Sequence, residues 1–207
     1  MRTRHKDDMM FEALLSVAVT TAVLLGSPGP APLALAAAGA SQGVKKGFPF
    51  LAGILAGLLV AVICAATGVA GLLVSQPQVT LVLKWLAAGY LIYVAYKIAA
   101  NNSALGNTGA QLPSFKDGFI LNLLNPKAYA ACIAIFATAS VPAGSNLVAT
   151  LLAASVCYVV AIVVDTMWLV LGGVIFKTLN DEAVLKRIRV GFALTLVVLV
   201  LYGLFVV

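Results

Sequence analysis

Residues 122–128 of this chain are Asn122-Leu123-Leu124-Asn125-Pro126-Lys127-Ala128, and they interrupt an otherwise apolar run from Phe115 to Val141. A run of that length can span a lipid bilayer as an α-helix. Pro126 lacks an N–H and disfavours helical geometry at Asn125, so the helix must break or kink there. The same two residues suit the N-cap and first position of a new helix. The stretch therefore predicts a broken helix whose second half begins at membrane depth.

Lys127 stands directly at this break. It follows Phe115 by 12 residues, which corresponds to about 18 Å of helical rise and places its ammonium group near the bilayer centre. A charge there costs about 3 kcal/mol on insertion scales, and the positive end of the new helix adds to that cost. The hypothesis that accounts for this lysine is an anionic group, supplied by a ligand or by another side chain. The alternative is that Lys127 extends to the membrane interface.

The composition indicates a membrane protein throughout. Of the 207 residues, 62% are hydrophobic and 10% are charged, whereas a soluble domain carries about 25% charged residues. The net charge of +6 arises in short loops, where basic residues set topology and contact lipid head groups, so nucleic acid is not expected as a partner. Cys64, Cys132 and Cys157 lack C-x-x-C spacing, and the single histidine, His5, precedes the first apolar run. We therefore expect no disulfide framework, thiol relay, metal site or cofactor.

Six apolar runs predict an all-α polytopic protein with six transmembrane helices. The spans are Met9–Leu25 with a half-helix over Pro32–Ala40, then Phe48–Val74, Val79–Ala100, Phe115–Val141, Leu147–Phe176 and Ile188–Val207. The first span has its own break, where Pro28, Gly29 and Pro30 end one helix and Ser27 is a candidate cap for the next. Residues 41–47 are predicted to form a turn and residues 177–189 a charged loop.

The two halves of the chain share one plan within a single transmembrane domain, 1–207. Repeat 1 covers about 9–100, a linker covers 101–114, and repeat 2 covers about 115–207. Each repeat has a proline-broken span followed by two uninterrupted ones. Because three is an odd number of crossings, the second repeat enters the membrane from the side opposite to the first. Inverted repeats with broken first and fourth helices predict a transport site near the membrane midplane.

Asp165 is a second charge expected at membrane depth. It lies about 16 Å from the Phe176 end of the fifth span. Removing a carboxylate from water favours its neutral form, which suits reversible protonation during transport. Asp165 is therefore a candidate to receive a substrate ammonium group or to carry a proton. The alternative is a structural ion pair with Lys127.

Basic residues in the loops predict the orientation. With the N-terminus outside, the cytoplasmic side holds eight of them: Lys45, Lys46, Lys97, Lys116, Lys177, Lys186, Arg187 and Arg189. The outside then holds four: Arg2, Arg4, Lys6 and Lys84. The excess predicts a multi-pass plasma or inner membrane protein with both termini outside, although the N-terminal tail alone argues the other way.

Two patterns on helix faces concern packing. Gly53 and Gly57 are four residues apart, a spacing that lets helices approach closely in lipid and makes a homodimer plausible. Ordinary glycine enrichment in transmembrane helices explains the spacing equally well. Tyr90, Tyr93 and Lys97 share one face near a helix end, which is typical of an interfacial anchor.

Three segments carry a resemblance to a known family: Ser27-Pro28-Gly29-Pro30, Gly43-Val44-Lys45-Lys46-Gly47-Phe48, and Gly118-Phe119 through Asn122–Ala128. With these segments the chain resembles the lysine exporter (LysE/RhtB) family of amino-acid efflux transporters, and the six-span plan matches over nearly its whole length. The resemblance implies a transporter, not an enzyme, that exports amino acids or related metabolites by using an ion gradient. This family usually carries Asp or Asn directly after Pro-Gly-Pro, where this chain has Ala31.

The binding hypothesis joins the two breaks. The half-helix starts after Pro30 and Asn125 converge on a substrate carboxylate, because free N–H groups and positive helix ends favour an anion. The candidate substrate-binding residues are Pro28, Gly29, Pro30, Asn122, Asn125, Pro126, Lys127 and Asp165. Asp165 is also the candidate for proton coupling in an antiport cycle.

Three alternatives come from other classes. A heavy-metal cation exporter would use Asp165 with loop carbonyls, but the runs hold no second carboxylate at membrane depth. An intramembrane thiol oxidoreductase requires paired cysteines, which the sequence spacing does not show. A structural membrane subunit would not need Lys127 at a helix break.

Overall fold

The computed structural model describes residues 2–99, 113–143, 145–178 and 182–205. Within these ranges the chain forms eight helices and no β-strand. The helices are α1 Arg2–Gly26, α2 Pro30–Ala66, α3 Val69–Val74, α4 Pro77–Ala99, α5 Phe115–Leu123, α6 Pro126–Thr138, α7 Asn146–Thr178 and α8 Glu182–Phe205. The all-α class is therefore confirmed. The linker predicted over 101–114 lies outside the described residues, except for Pro113 and Ser114.

Several of these helices can cross a membrane. In the described part of the chain, four segments are long and apolar enough: Asp8–Gly26, Gly43–Ala66, Pro77–Ile98 and Asn146–Ile175. The bent pair α5 and α6 would make a fifth. The chain is thus a multi-span integral membrane protein. Helix α8 covers most of the predicted sixth span, and the arrangement as two inverted repeats stays a prediction.

The predicted turn over 41–47 is in fact a kink at one residue. Gly43 has φ 76° and ψ 167°, in the left-handed region that glycine enters at little cost, and helix continues on both sides. We call the two parts α2a (30–42) and α2b (43–66). Lys45 and Lys46 therefore belong to the first turn of α2b rather than to a loop.

The start and end of the first two spans also differ from the prediction. Helix α2a begins at Pro30 rather than Pro32, and its N-cap is Gly29 rather than Ser27. Helix α2b ends at Ala66, so the predicted second span is interrupted before Val74. There the Thr67 hydroxyl donates to the Ile63 carbonyl oxygen at 2.9 Å, and Gly68 adopts φ 79°. A glycine in this conformation ends a helix, which separates α2b from α3.

The break at residues 122–128 forms as predicted. Asn125 is the N-cap of α6, and its side-chain oxygen accepts the Lys127 backbone N–H at 3.1 Å. Pro126 is the first helical residue, and α5 and α6 meet at a bend of 60°. Helix α6 then ends at Thr138, short of the predicted Val141.

The fifth span is confirmed, but the charged loop that should follow it is largely helical. Helix α7 extends to Thr178, and α8 begins at Glu182 and includes Lys186 and Arg187. Lysine, arginine and glutamate are good helix formers, so a polar composition does not by itself exclude a helix. The predicted sixth span is therefore part of a longer helix that already begins at Glu182.

Helix α2 is the centre of the packing, with α7 against α2a and α5 against α2b. At both contacts backbone meets backbone: a Cβ on Gly172 would collide with the Ala36 carbonyl, and one on Gly118 with the Phe50 carbonyl. These close approaches pack α7 against the first half of α2 and α5 against its second half.

The glycine face that suggested a homodimer is used inside the chain. A Cβ on Gly53 would collide with the Phe115 carbonyl of α5, and one on Gly57 would lie 2.7 Å from the Phe119 carbonyl oxygen. The close helix approach expected from the spacing is therefore intramolecular. A homodimer has no support from this face.

Candidate functional site

The two helix breaks meet through Lys127. Its ammonium nitrogen donates to the Ser27 carbonyl oxygen at 2.6 Å, the Ser27 hydroxyl at 2.9 Å and the Pro28 carbonyl oxygen at 3.4 Å. These oxygens lie at the C-terminal end of α1, where the helix dipole is negative and attracts a cation. The stabilising partner of this lysine is therefore the end of another helix rather than a carboxylate.

Gly29 makes room for this contact. A Cβ at Gly29 would lie 2.8 Å from the Lys127 nitrogen and 2.9 Å from its Cδ. The backbone at Gly29 is extended, with φ −172°, so its conformation does not demand glycine. The absence of a side chain is what lets Lys127 reach the first break.

Two buried asparagines connect the second break to α2b. The Asn122 amide nitrogen donates to the Ile54 carbonyl oxygen at 3.0 Å, and the Asn125 amide nitrogen donates to Asn122 Oδ1 at 3.3 Å. Since Asn125 Oδ1 also caps α6, most of these amide groups already have partners. Their observed role is to fix the break that positions Lys127.

Asp165 faces the same region from α7. Its side chain is buried, with 6% of the residue exposed, and it makes no hydrogen bond or ion pair within 4.0 Å to any residue in the described ranges. Lys127 is close enough for an electrostatic interaction. The ion pair considered as an alternative is thus not formed in this structure, and none of the described residues donates a hydrogen bond to the carboxylate.

Aromatic side chains of α7 fix the helix on either side of Asp165. The Trp168 indole N–H donates to the Gly26 carbonyl oxygen at 3.1 Å, and the Tyr158 hydroxyl donates to the Leu55 carbonyl oxygen at 3.1 Å. These bonds join α7 to the end of α1 and to α2b. Sequence analysis did not single out Trp168, although it lies three residues after Asp165 and therefore on the same helix face.

A small cavity lies where these elements converge. It is lined by Leu25, Ala31, Pro32, Leu58, Asn122, Asn125, Lys127, Ala128 and Asp165. Its volume is about 20 Å³, enough for about one water molecule. Of the predicted site residues, Asn122, Asn125, Lys127 and Asp165 line the cavity itself. Pro28 and Gly29 contact Lys127, and Pro30 and Pro126 begin the two half-helices.

A second polar cluster, which the sequence did not predict, lies at the N-terminal end of α5. Lys97 pairs with Asp117 at 2.7 Å, and the Tyr90 hydroxyl donates to the same carboxylate at 3.2 Å. Ser114 and Asp117 also form a reciprocal capping box, which the Ser-x-x-Asp spacing could have indicated. Lys97 and Tyr90 thus tie α4 to the start of α5, a role that the interfacial-anchor interpretation did not include.

Two cysteines far apart in sequence also meet. Cys132 on α6 and Cys157 on α7 are both fully buried, and their thiols are close enough to interact. Sequence spacing could not show this proximity, because 24 residues separate them. In the described ranges, no group of three or more His, Cys, Asp and Glu side chains lies close enough to hold a metal ion.

Comparison with known protein families assigns this chain to one of them. A family model described as LysE type translocator matches residues 22–207. The chain belongs to this family. LysE type translocators are transporters and not enzymes, which agrees with the expectation from the sequence.

Individual relatives of this LysE type translocator are similar over part of their length. A leucine efflux protein of Enterobacter sp. is 33% identical over 117 residues, which cover 53% of this chain and 54% of the relative. A cysteine/O-acetylserine efflux protein of Salmonella typhimurium is 29% identical over 119 residues, 58% of this chain and 60% of the relative. An uncharacterized membrane protein of Pseudomonas aeruginosa is 33% identical over 119 residues, 53% and 55% of the two chains. The chain thus spans little more than half the length of these relatives. No solved structure matches it.

Proposed function

We propose that this LysE type translocator is a secondary-active exporter of amino acids or related small zwitterionic metabolites, coupled to protons. The observation that carries the proposal is a small cavity lined by the ammonium-bearing Lys127 and by Asp165, a buried carboxylate with no hydrogen bond or ion pair to any described residue. Opposite charges on one cavity complement the two ends of an amino acid. The names of the efflux relatives support the direction of transport.

The substrate carboxylate binds at the Lys127 end of the cavity. Lys127 exchanges its contacts with neutral carbonyl oxygens for a carboxylate, which accepts stronger hydrogen bonds. The start of α2a lines the cavity through Ala31 and Pro32, and the Ala31 N–H is among the donors that a helix start leaves without an intrahelical partner. The first N–H groups of α6 are already bonded to Asn125, so α6 contributes Lys127 and its dipole.

The Asp165 carboxylate receives either the substrate ammonium group or a proton. Because one carboxylate cannot hold both, the two ligands compete, and loading of one is coupled to release of the other. This competition is what an antiport cycle requires. Outward movement of the amino acid is then exchanged for inward movement of a proton.

Transport requires the observed cavity to enlarge, because a volume of about 20 Å³ does not accommodate an amino acid. The chain offers joints for this motion at the α5–α6 break and at Gly43, which separates α2a from α2b. Rocking of broken helices around a fixed site is the general mode of alternating access in such folds. The present arrangement corresponds to a closed form.

Efflux from preloaded vesicles tests the proposal. Vesicles containing the protein are loaded with a panel of labelled amino acids, and efflux is measured for the unaltered protein and for Lys127→Ala. We expect one or a few amino acids of the panel to leave the vesicles faster than the others when the unaltered protein is present. Lys127→Ala should reduce this flux about a hundredfold, because an oriented charge contact is lost.

The matched control is Lys116→Ala, since Lys116 lies in the same broken span but is exposed. This control should retain full flux. Movement of a divalent cation in place of every amino acid would contradict the proposed substrate, and equal flux from Lys127→Ala would contradict the site.

A further inference from the structure

The cavity at the two breaks carries a balanced set of charges. Its lining has one cation, Lys127, and one anion, Asp165, and its two amides are largely engaged in hydrogen bonds. The remaining lining residues are apolar: Leu25, Ala31, Pro32, Leu58 and Ala128. A zwitterion can therefore satisfy both charges, and its side chain then faces an apolar wall.

Asp165 is the cavity residue whose surroundings most clearly indicate a bound ligand. It is more than nine-tenths buried and has no hydrogen-bonding partner in the described part of the chain. An ionised carboxylate in such a place is unfavourable until a cation or a proton reaches it. Lys127 differs, because three oxygen atoms of the first break already accept from it.

A third charge on the ligand would have no partner at this site. The other buried carboxylate of the described residues, Asp117, is engaged by Lys97 at the opposite end of α5. A cationic side chain would therefore meet Lys127 and apolar residues, and an anionic one would meet Asp165. Unpaired charges in a poorly solvated cavity oppose binding.

We propose that this site selects amino acids with uncharged side chains and rejects those with cationic or anionic side chains, and that Ala31 helps to set this preference. The inference rests on the proposed export function and narrows its substrates. Ala31 is buried at 5% exposure, lines the cavity and is the second residue of α2a. An acidic side chain would be electrostatically favourable at that position of a helix, and none is present.

A charge-matched panel tests the preference on the unaltered protein. Vesicles are preloaded separately with labelled leucine, methionine, lysine or glutamate at equal concentration, and protein-dependent efflux is compared. We expect lysine and glutamate to leave at about a tenth of the leucine rate or less. If lysine leaves as fast as leucine, export stands and this inference alone fails. If no amino acid leaves, the proposed function fails and the inference falls with it.

Ala31→Asp tests the proposed role of Ala31 in substrate preference. Ala31→Asn is the control, because asparagine has the size of aspartate without its charge. The added carboxylate should raise the ratio of lysine to leucine efflux about tenfold, whereas Ala31→Asn should leave the ratio unchanged. An unchanged ratio in an Ala31→Asp protein that still exports leucine would overturn the role of Ala31.

If Ala31→Asp does not accumulate in the membrane, thermal stabilisation of the purified unaltered protein decides the charge preference. Leucine should raise its melting temperature and lysine should not. Stabilisation by lysine equal to that by leucine would contradict the inference.

Discussion

Lys127 illustrates how one charged residue is stabilised in an apolar environment by backbone groups. Carbonyl oxygens at the end of α1 and the Ser27 hydroxyl surround its ammonium group, so no carboxylate is needed in the present arrangement. Because these acceptors are neutral, we propose that a substrate carboxylate displaces them. The residue is thus held in place without being permanently paired.

Gly29→Ala tests the space that Lys127 occupies. The new Cβ would lie 2.8 Å from the ammonium nitrogen, so we expect the lysine to shift and the apparent affinity for amino acid to fall about tenfold. Substrate-concentration dependence of efflux measures this change. Gly89→Ala on α4 is the control, since a Cβ there meets no atom within 4 Å. An affinity that is unaltered in Gly29→Ala would argue against the positioning of Lys127.

Asp165→Asn tests proton coupling at the residue scale. The amide cannot ionise, so we expect a pH gradient to lose its effect on efflux, while exchange of amino acid across the membrane continues at a reduced rate. Flux is measured with and without an imposed gradient. Asp8→Asn, at an exposed position of α1, is the matched control and should keep its gradient dependence. The proton-carrier role is wrong if Asp165→Asn still shows a driven flux with normal pH dependence.

At the scale of helices, the short helix α5 is fixed at both of its ends. Its first turn is bonded to Lys97 and Tyr90 of α4 through Asp117, and its last turn is bonded to α2b through Asn122. Gly118 allows it to contact α2b backbone to backbone in between. Contacts with α4 and α2b therefore fix the position of α5, the half-helix that precedes the break.

Asp117→Asn tests the attachment of α5 to α4. The change leaves the half-buried Lys97 without a carboxylate, and we expect the protein to lose about 1–3 kcal/mol of stability. Thermal unfolding in detergent measures the loss. Lys116→Met changes the neighbouring exposed lysine and should leave the unfolding temperature within error. Equal unfolding temperatures for Asp117→Asn and the unaltered protein would show that the pair contributes little.

For the whole molecule, we propose that the chain crosses the membrane six times, which would leave both termini on one side, and that the excess of loop lysine and arginine makes that side the outside. We expect a cysteine introduced at Gln76 to react with a membrane-impermeant maleimide on intact cells, and one introduced at Thr178 not to react. The parent for both variants is Cys64→Ala, because the other two cysteines are buried. The reverse labelling pattern would show that the termini are cytoplasmic.

Local chemistry alone determined much of this architecture. Pro126 with Asn125, and Pro30 after Pro28, disfavour continuation of a helix, so both breaks could be located from the sequence. Long apolar runs could be identified as spans for the same local reason. Boundaries that depend on one glycine, as at Gly43 and Gly68, were less predictable, because glycine is also common within transmembrane helices.

Only the tertiary structure decided which groups became partners. The carbonyl oxygens that hold Lys127 lie about 100 residues earlier in the chain, and the contacts of Asp117 with Lys97 and of Cys132 with Cys157 join different helices. Apolar periodicity specifies that a helix is buried but not which helix faces it. Likewise, the residue types that line a cavity can be anticipated, whereas its closed volume depends on how backbones at Gly53, Gly118 and Gly172 approach one another. The sequence by itself determined where the two proline breaks lie and which charged residues interrupt the apolar runs, and long-range packing decided what those residues contact.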